Sequence, residues 1–386
     1  MKTHNLRGRI TDPVYISTSN ETWHLLAKSR MVVDDGEPGI SIEPTAGPTH
    51  LVVDGRIQGS LGIYSQGDGD TISVGEHGRV TAGFYLPSID FQGNNSTLIN
   101  HGNILGRIAA VGDDFLFKNA GTLEADQCVG VSGSDIKIVN TAAGHMKCEV
   151  CLYLDSPGYT VAVNHGVIEG GIYAIIGGTD ENDIRNDGKI IGDISTYAGN
   201  DSLDLRHGTF HGTYYGGLGD DTLITDNAKY KLTERAGEGN DRVISYVTYT
   251  LNENVETLSL GGQRDINGYG PAASENLHGN DGDNRLKGGA GLDLLDGGAG
   301  DDLLFGGADK DNFYFRRNYG HDIVADFQKG DVIELADWTL GDDFDDVLDR
   351  THDGKDGAVI SFGHGTLTIS GVEKADLTAE DFFFIY

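Results

Sequence analysis

The chain has 386 residues, with 60 acidic side chains against 28 basic ones and a formal net charge of -32. Such a field argues against nucleic acid or an anionic membrane as partner and calls for divalent cations as counter-charge. Fifty-eight glycines against seven prolines, with 38% hydrophobic residues, suit many tight turns over a thin core, and no stretch has the length and apolarity of a membrane span.

The start, Met1-Lys2-Thr3-His4-Asn5-Leu6-Arg7-Gly8-Arg9, lacks an apolar run of signal-peptide length, so no cleaved N-terminal signal is expected. Residues 1–48 contain Pro13, Pro38, Pro44 and Pro48 and fit no repeat. They are expected to cap a solenoid end, whose open strand edges would otherwise invite pairing, with Thr22 to Met31 as a short helix or a strand pair.

From 49 to 245 a phrase recurs, as in Asn100-His101-Gly102-Asn103-Ile104-Leu105-Gly106, Asn164-His165-Gly166-Val167-Ile168-Glu169-Gly170 and Asn186-Asp187-Gly188-Lys189-Ile190-Ile191-Gly192. Its anchor glycines are Gly55, Gly78, Gly102, Gly121, Gly144, Gly166, Gly188 and Gly208, with steps of 23, 24, 19, 23, 22, 22 and 20. Short alternating segments such as Val161-Ala162-Val163 and Ile172-Tyr173-Ala174-Ile175 lie between Gly and Asn turns. Period and pattern predict an all-β, right-handed parallel β-helix with coils of about 20–24 residues.

His77, His101, His165 and His207 each precede an anchor glycine. They read as an exposed turn ladder, against the alternative of acid–base catalysis with Tyr214 or Tyr215. Cys128 and Cys151 both lie seven residues after an anchor glycine, so a stacked pair of buried thiols is expected, with no disulfide framework among Cys128, Cys148 and Cys151. A second column of Gly-plus-acid turns comprises Asp70, Asp114, Asp135, Asn182, Asp201, Asp221 and Asp241, the last three 20 apart. Asn182, Asp201, Asp221 and Asp241 are candidate metal ligands on one edge. Asp70, Asp114 and Asp135 lack the full glycine set and read as turn residues.

Residues 246–269 are expected to form connecting strands, and from 270 to 325 a nine-residue unit takes over. Gly288 to Asp296, Gly297 to Phe305 and Gly306 to Tyr314 each read Gly-Gly-x-Gly-x-Asp-x-apolar-x. Glycine-permitted turns curl the backbone with carbonyls inward, and the sixth-position Asp adds a hard anionic oxygen suited to Ca²⁺. Two units make one coil, so Asp293 should stack with Asp311, Asn284 with Asp302, and Glu275 with Asp293. The predicted ligand set is Asp293, Asp302, Asp311, Asn284 and Glu275, cradled by Gly288, Gly291, Gly297, Gly300 and Gly306. The predicted core is Leu277, Leu286, Leu295, Leu304 and Phe313. In residues 326–386 and just before them, Asp322 to Phe327, Val332 to Leu335, Ala358 to Phe362 and Thr366 to Ile369 are expected to close the end as antiparallel strands.

The nonapeptides at 270–314 resemble those of the RTX (repeats-in-toxin) family of Gram-negative type I secretion substrates. Asn252 to Leu260 with Ile266-Asn267-Gly268 resembles the strand pair that precedes such rolls, and Asp311 to Phe315 with Gly320 to Phe327 resembles their ending. Asn284 for Asp and Asp309 for Gly depart from the pattern. The resemblance implies several bound Ca²⁺ ions, folding driven by extracellular calcium, secretion without a cleaved leader, and a C-terminal secretion signal ending in Asp381-Phe382-Phe383-Phe384-Ile385-Tyr386. It covers about a third of the chain.

The sequence has no His-Glu-x-x-His and no Gly-x-Ser-x-Gly, which argues against a metzincin protease and a lipase. The expected role is extracellular, structural or adhesive, with calcium, a cell surface or polysaccharide, and the type I secretion machinery as partners. A uronate-polymer lyase or C5-epimerase on the β-helix is the alternative.

Overall fold

The computed structural model describes every residue except 1, 19, 45–46, 84–85, 317–318, 337–342 and 386. Nearly all regular structure is β-strand, and the chain divides into two compact units, 1–219 and 220–386.

The first unit is a parallel solenoid. One ladder climbs through Thr3–Leu6, Thr22–Leu25, His50–Val53, Thr71–Val74, Thr97–Asn100, Leu116–Asn119, Ile136–Asn140, Thr160–Asn164, Asn182–Asn186 and Ser202–Asp204. A second ladder includes the longer strands Arg30–Ile42, Arg56–Ser65, Thr122–Ser132, His145–Leu154, Val167–Ile176 and Lys189–Ser195. Strand alternation sends Leu51, Ile72, Leu98, Phe117, Ile138, Ala162, Ile184 and Leu203 inward, one per coil.

The recurring Asn-x-Gly phrase has a physical cause in this stack. Asn100, Asn119, Asn140, Asn164 and Asn186 are buried, and each amide donates to the next at 2.7–2.9 Å. A file of amides satisfies itself, which lets a polar column occupy the interior. At Gly102, Gly121, Gly166 and Gly188 a Cβ would run into backbone of the neighbouring coil, so the anchors must be glycine.

Three expectations are corrected in this unit. Residues 1–48 do not form a separate cap: Thr3–Leu6 already pairs in parallel with Thr22–Leu25, and Arg9–Ile10 and Val14–Ile16 with Arg30–Ile42. Prolines fall between strands or at an irregularity such as Pro38, where the register shifts. Asp114 and Asp135 do not share the column of Asp70, because the register puts buried Phe115 and Ile136 there. Both acids instead hold left-handed turns, with φ of 59° and 56°. Finally, Cys128 is bonded to Cys148 of the next coil, Cα–Cα 6.0 Å, while Cys151 takes the buried position in register with Cys128 and stays free.

In the second unit one parallel ladder runs Thr222–Thr225, Arg242–Ser245, Thr257–Leu260, Asn276–His278, Leu294–Asp296, Asn312–Arg316, Val332–Ala336 and Phe382–Ile385. The other runs Tyr249–Thr250, Gly268–Tyr269, Arg285–Ala290, Leu303–Ala308, His321–Val324 and Gly365–Ser370. Leu277, Leu286, Leu295, Leu304 and Phe313 are fully buried, as the nonapeptide period requires. Among the described residues the antiparallel part of the closure consists of Thr351–Asp353, Gly357–Phe362 and Gly365–Ser370. His321–Val324 and Val332–Ala336, expected to be antiparallel, continue the parallel coils because their acid-turn-strand spacing still matches a coil. Tyr386 lies outside the described residues.

Candidate metal centre

Each nonapeptide turns through glycines with left-handed φ, among them Gly289 at 128°, Gly291 at 117°, Gly298 at 90°, Gly300 at 118° and Gly307 at 112°. The acid that follows leads directly into a short strand, so the strand register fixes its height in the stack. Asp293 Oδ1 accepts the Glu275 amide at 2.9 Å, Asp302 Oδ1 the Asn284 amide at 2.7 Å, and Asp311 Oδ1 the Asp293 amide at 3.0 Å. All three contacts span 18 residues, the predicted two-unit coil.

The other carboxylate oxygen of these residues carries the chemistry. Glu275 Oε2, Asp293 Oδ2, Asp302 Oδ2 and Asp311 Oδ2 are buried with no hydrogen-bond partner. A buried carboxylate oxygen left unpaired costs several kcal/mol, by the order of ion-burial penalties. Burial pushes Asp302 up to about 8 and Asp311 up to about 6. It also raises Glu275 and Asp293, with the charge of Asp293 pushing Glu275 further. A Cβ at Gly288, Gly297 or Gly306 would strike the free oxygen of Asp293, Asp302 or Asp311. The first glycine of each unit therefore keeps open the space into which that oxygen points. Oxygen-rich and anionic, with one oxygen of each carboxylate left without a protein donor, this set fits a hard cation such as Ca²⁺.

The departures behave differently. Asn284 accepts the Asn280 amide at 2.7 Å and donates to Ile266 at 2.7 Å and to Asn280 Oδ1 at 2.9 Å, so its amide is consumed by protein partners. Asp309 holds the left-handed turn that its sister units give to glycine, at φ 78°.

The acid file is longer than the nonapeptides. In the second unit the residues preceding successive rungs are Asp221, Asp241, Glu256, Glu275, Asp293, Asp311 and Asp331. Asp331 accepts the Asp311 amide at 3.1 Å, and Asp322 extends the other edge by accepting the Asp302 amide at 3.0 Å. Both are buried, and burial raises Asp331 and pushes Asp322 up to about 7. Sequence reasoning placed Asp322 in the roll ending and gave Asp331 no role; a step of 20 in place of 18 was the available signal. Asp221 and Asp241 stack as expected, at 2.9 Å from amide to carboxylate. With them converges Glu234, unforeseen, so that one ligand oxygen from each lies within 4.8 Å of the others, all three buried.

The first unit's candidates carry internal donors. Asp201, pushed up to about 6 by burial, takes both the backbone and side-chain N–H of Asn182 at 2.7 and 2.9 Å, with Thr196 as a further donor. Asp70 is served by Ser65 Oγ at 2.6 Å and the Thr49 amide at 2.8 Å. Hydroxyl and amide donors do there what a cation would do elsewhere. His77, His101, His165 and His207 are exposed, and of the two tyrosines considered with them Tyr214 is fully buried while Tyr215 is exposed. At the bend of the longer strands, Glu124, Asp126, Lys147, Glu149 and Glu169 line an open groove of about 560 Å³.

Comparison with known proteins gives a consistent answer over part of the chain. A model of the RTX calcium-binding nonapeptide repeat matches residues 278–313 in four copies. No curated relative matches. Among solved structures, the extracellular lipase LipA from Serratia marcescens aligns at 18% identity over 59% of this chain and 40% of the lipase, with a TM-score of 0.25, too low to carry an argument. With the repeat match, the stacked register and the unpartnered carboxylates together, the chain is a parallel β-solenoid that carries RTX calcium-binding nonapeptide repeats at 278–313.

Proposed function

We propose that calcium drives folding of this chain outside the cell and that the folded solenoid acts there as a structural or adhesive element, holding a cell surface or extracellular polysaccharide. The observation that carries the reading is the set of four buried carboxylate oxygens without partners at Glu275, Asp293, Asp302 and Asp311. Without a cation their desolvation opposes folding; with one, binding energy becomes folding energy. Extracellular modules of this kind bind near 10⁻⁴ to 10⁻³ M, on the order of extracellular calcium and far above cytosolic levels.

Asp293, Asp302, Asp311 and Glu275 supply the carboxylates, and Gly288, Gly291, Gly297, Gly300 and Gly306 let the turns close around them. When bound, Ca²⁺ supplies fixed positive charge that ties adjacent coils together. Asp221, Asp241 and Glu234 form a further candidate site, while Asn182, Asp201 and Asn284 take protein hydrogen bonds in its place. A chain held unfolded at cytosolic calcium suits export through a narrow type I channel.

A lyase or epimerase remains the second reading, favoured by the groove at Glu124, Lys147, Glu149 and Glu169. Native protein should be retained on a panel of immobilised polysaccharides and on cell surfaces in millimolar calcium and released by chelator. Retention nowhere on the panel would refute the adhesive role, and unsaturated-uronate absorbance on incubation with polyuronates would favour the enzyme.

A further inference from the structure

In a chain with a net charge of -32, four arginines stand in single file on the first unit. Arg9 pairs in register with Arg30, Arg30 with Arg56, and Arg56 with Arg79. The residue after each, Ile10, Met31, Ile57 and Val80, takes the inward place, with Met31, Ile57 and Val80 fully buried. Strand alternation therefore sends all four guanidinium groups to the outside, and all four residues are exposed. Adjacent coils stand about 4.8 Å apart, so the row spans about 14 Å.

Like charges directly opposite in a sheet destabilise it. Among the described residues no ion pair offsets that cost. Among the described residues none of the four forms an ion pair with a carboxylate, although acids outnumber bases two to one, and Arg30 makes only a 3.2 Å hydrogen bond to Gln58 Oε1. On one side the row is bordered by Gly8, Ser29, Gly55 and Gly78, which present almost no side chain, and on the other by the uncharged Val32, Gln58 and Thr81. A strip of positive charge is thus left open lengthwise along the stacking direction.

We propose that the Arg9–Arg30–Arg56–Arg79 row binds a linear acidic polysaccharide lying along the coils. This deepens, and rests on, the polysaccharide reading above. A linear polyuronate carries one carboxylate on every sugar ring, so a chain lying along the coils presents carboxylates at intervals that guanidinium forks of the row can meet. Planar guanidinium is suited to two-pronged carboxylate recognition, which lysine cannot reproduce. Duplex nucleic acid presents about one charge per 1.7 Å of axis and calls for a broad basic face, which a single file on a strongly acidic body does not provide. Among the described residues no exposed aromatic interleaves the four arginines to stack a base.

The test measures binding of short oligogalacturonates to the calcium-loaded full-length protein by calorimetry, for native protein, Arg30→Gln/Arg56→Gln and Arg30→Lys/Arg56→Lys. Circular dichroism and the melting midpoint confirm that both variants fold. The Gln pair should bind about tenfold or more weakly, the Lys pair should fall between, and affinity should drop with added salt. Equal binding by native protein and the Gln pair would overturn the arginine row while leaving the surface role standing; no binding of any polysaccharide by native protein would remove both. Equal affinity for neutral dextran, or tighter arginine-dependent binding of single-stranded DNA or phosphatidylserine vesicles, would also overturn it.

Discussion

Asp302→Asn should change stability in opposite directions with and without calcium. The residue is 2% exposed, and burial pushes its carboxyl up to about 8 in the folded chain. A raised folded pKa means stability present below the unfolded value, near 3.9, and lost as pH rises through the folded one. At pH 7, roughly three pH units above the unfolded value and still below the folded one, this costs the calcium-free fold about 4 kcal/mol. Asparagine keeps the Oδ1 that accepts the Asn284 amide and removes the charge, so most of this cost disappears. In calcium the same substitution removes an anionic ligand and forfeits about 1.4 kcal/mol, at tenfold excess over the dissociation constant, for each site it disables. Urea unfolding of both proteins in chelator with a stabilising osmolyte, and again in millimolar calcium, gives the two differences. A loss of stability of equal size in both buffers would show that Asp302 is a packing residue and refute the ligand assignment.

Other expectations follow from the same geometry. As pH falls from about 8 towards 4, calcium-free protein should gain β structure, since Asp302 near 8, Asp322 near 7 and Asp241 and Asp311 near 6 are neutralised; circular dichroism at fixed chelator checks this, and calcium affinity should fall over the same window. Gly297→Ala drives a methyl into the Asp302 carboxylate and should lower the calcium-loaded melting point, costing about 1–3 kcal/mol as an overpacked site does. Reducing Cys128–Cys148, 20 residues apart, should destabilise the 1–219 unit by about 3 kcal/mol and leave calcium stoichiometry unchanged, which proteolysis and calorimetry with and without reductant would show.

What could be read from the sequence was whatever repeats at a fixed step. The nonapeptides gave turn, ligand and core together: Leu277, Leu286, Leu295, Leu304 and Phe313 are buried, and Asp293 stands over Asp311. Asp322, Asp331 and Glu234 escaped because coils of 20 residues put insertions between features that the nine-residue template holds at constant distance. The first coils escaped for the same reason. Their arginines are separated by 21, 26 and 23 residues, and only the pairing register shows that Arg9, Arg30, Arg56 and Arg79 share one row. For the cysteines, equal offset from the anchor glycines correctly put Cys128 and Cys151 in register. It could not reveal that the strand bend brings Cys148 within bonding reach of Cys128.

The most direct test is a far-UV circular dichroism titration of chelated native protein with calcium at pH 7.5, followed by a count of bound ions at saturation. Calcium-driven folding predicts little β signal in chelator and a cooperative rise between about 10⁻⁴ and 10⁻³ M, with several ions bound per chain. Identical spectra with and without millimolar calcium would contradict it.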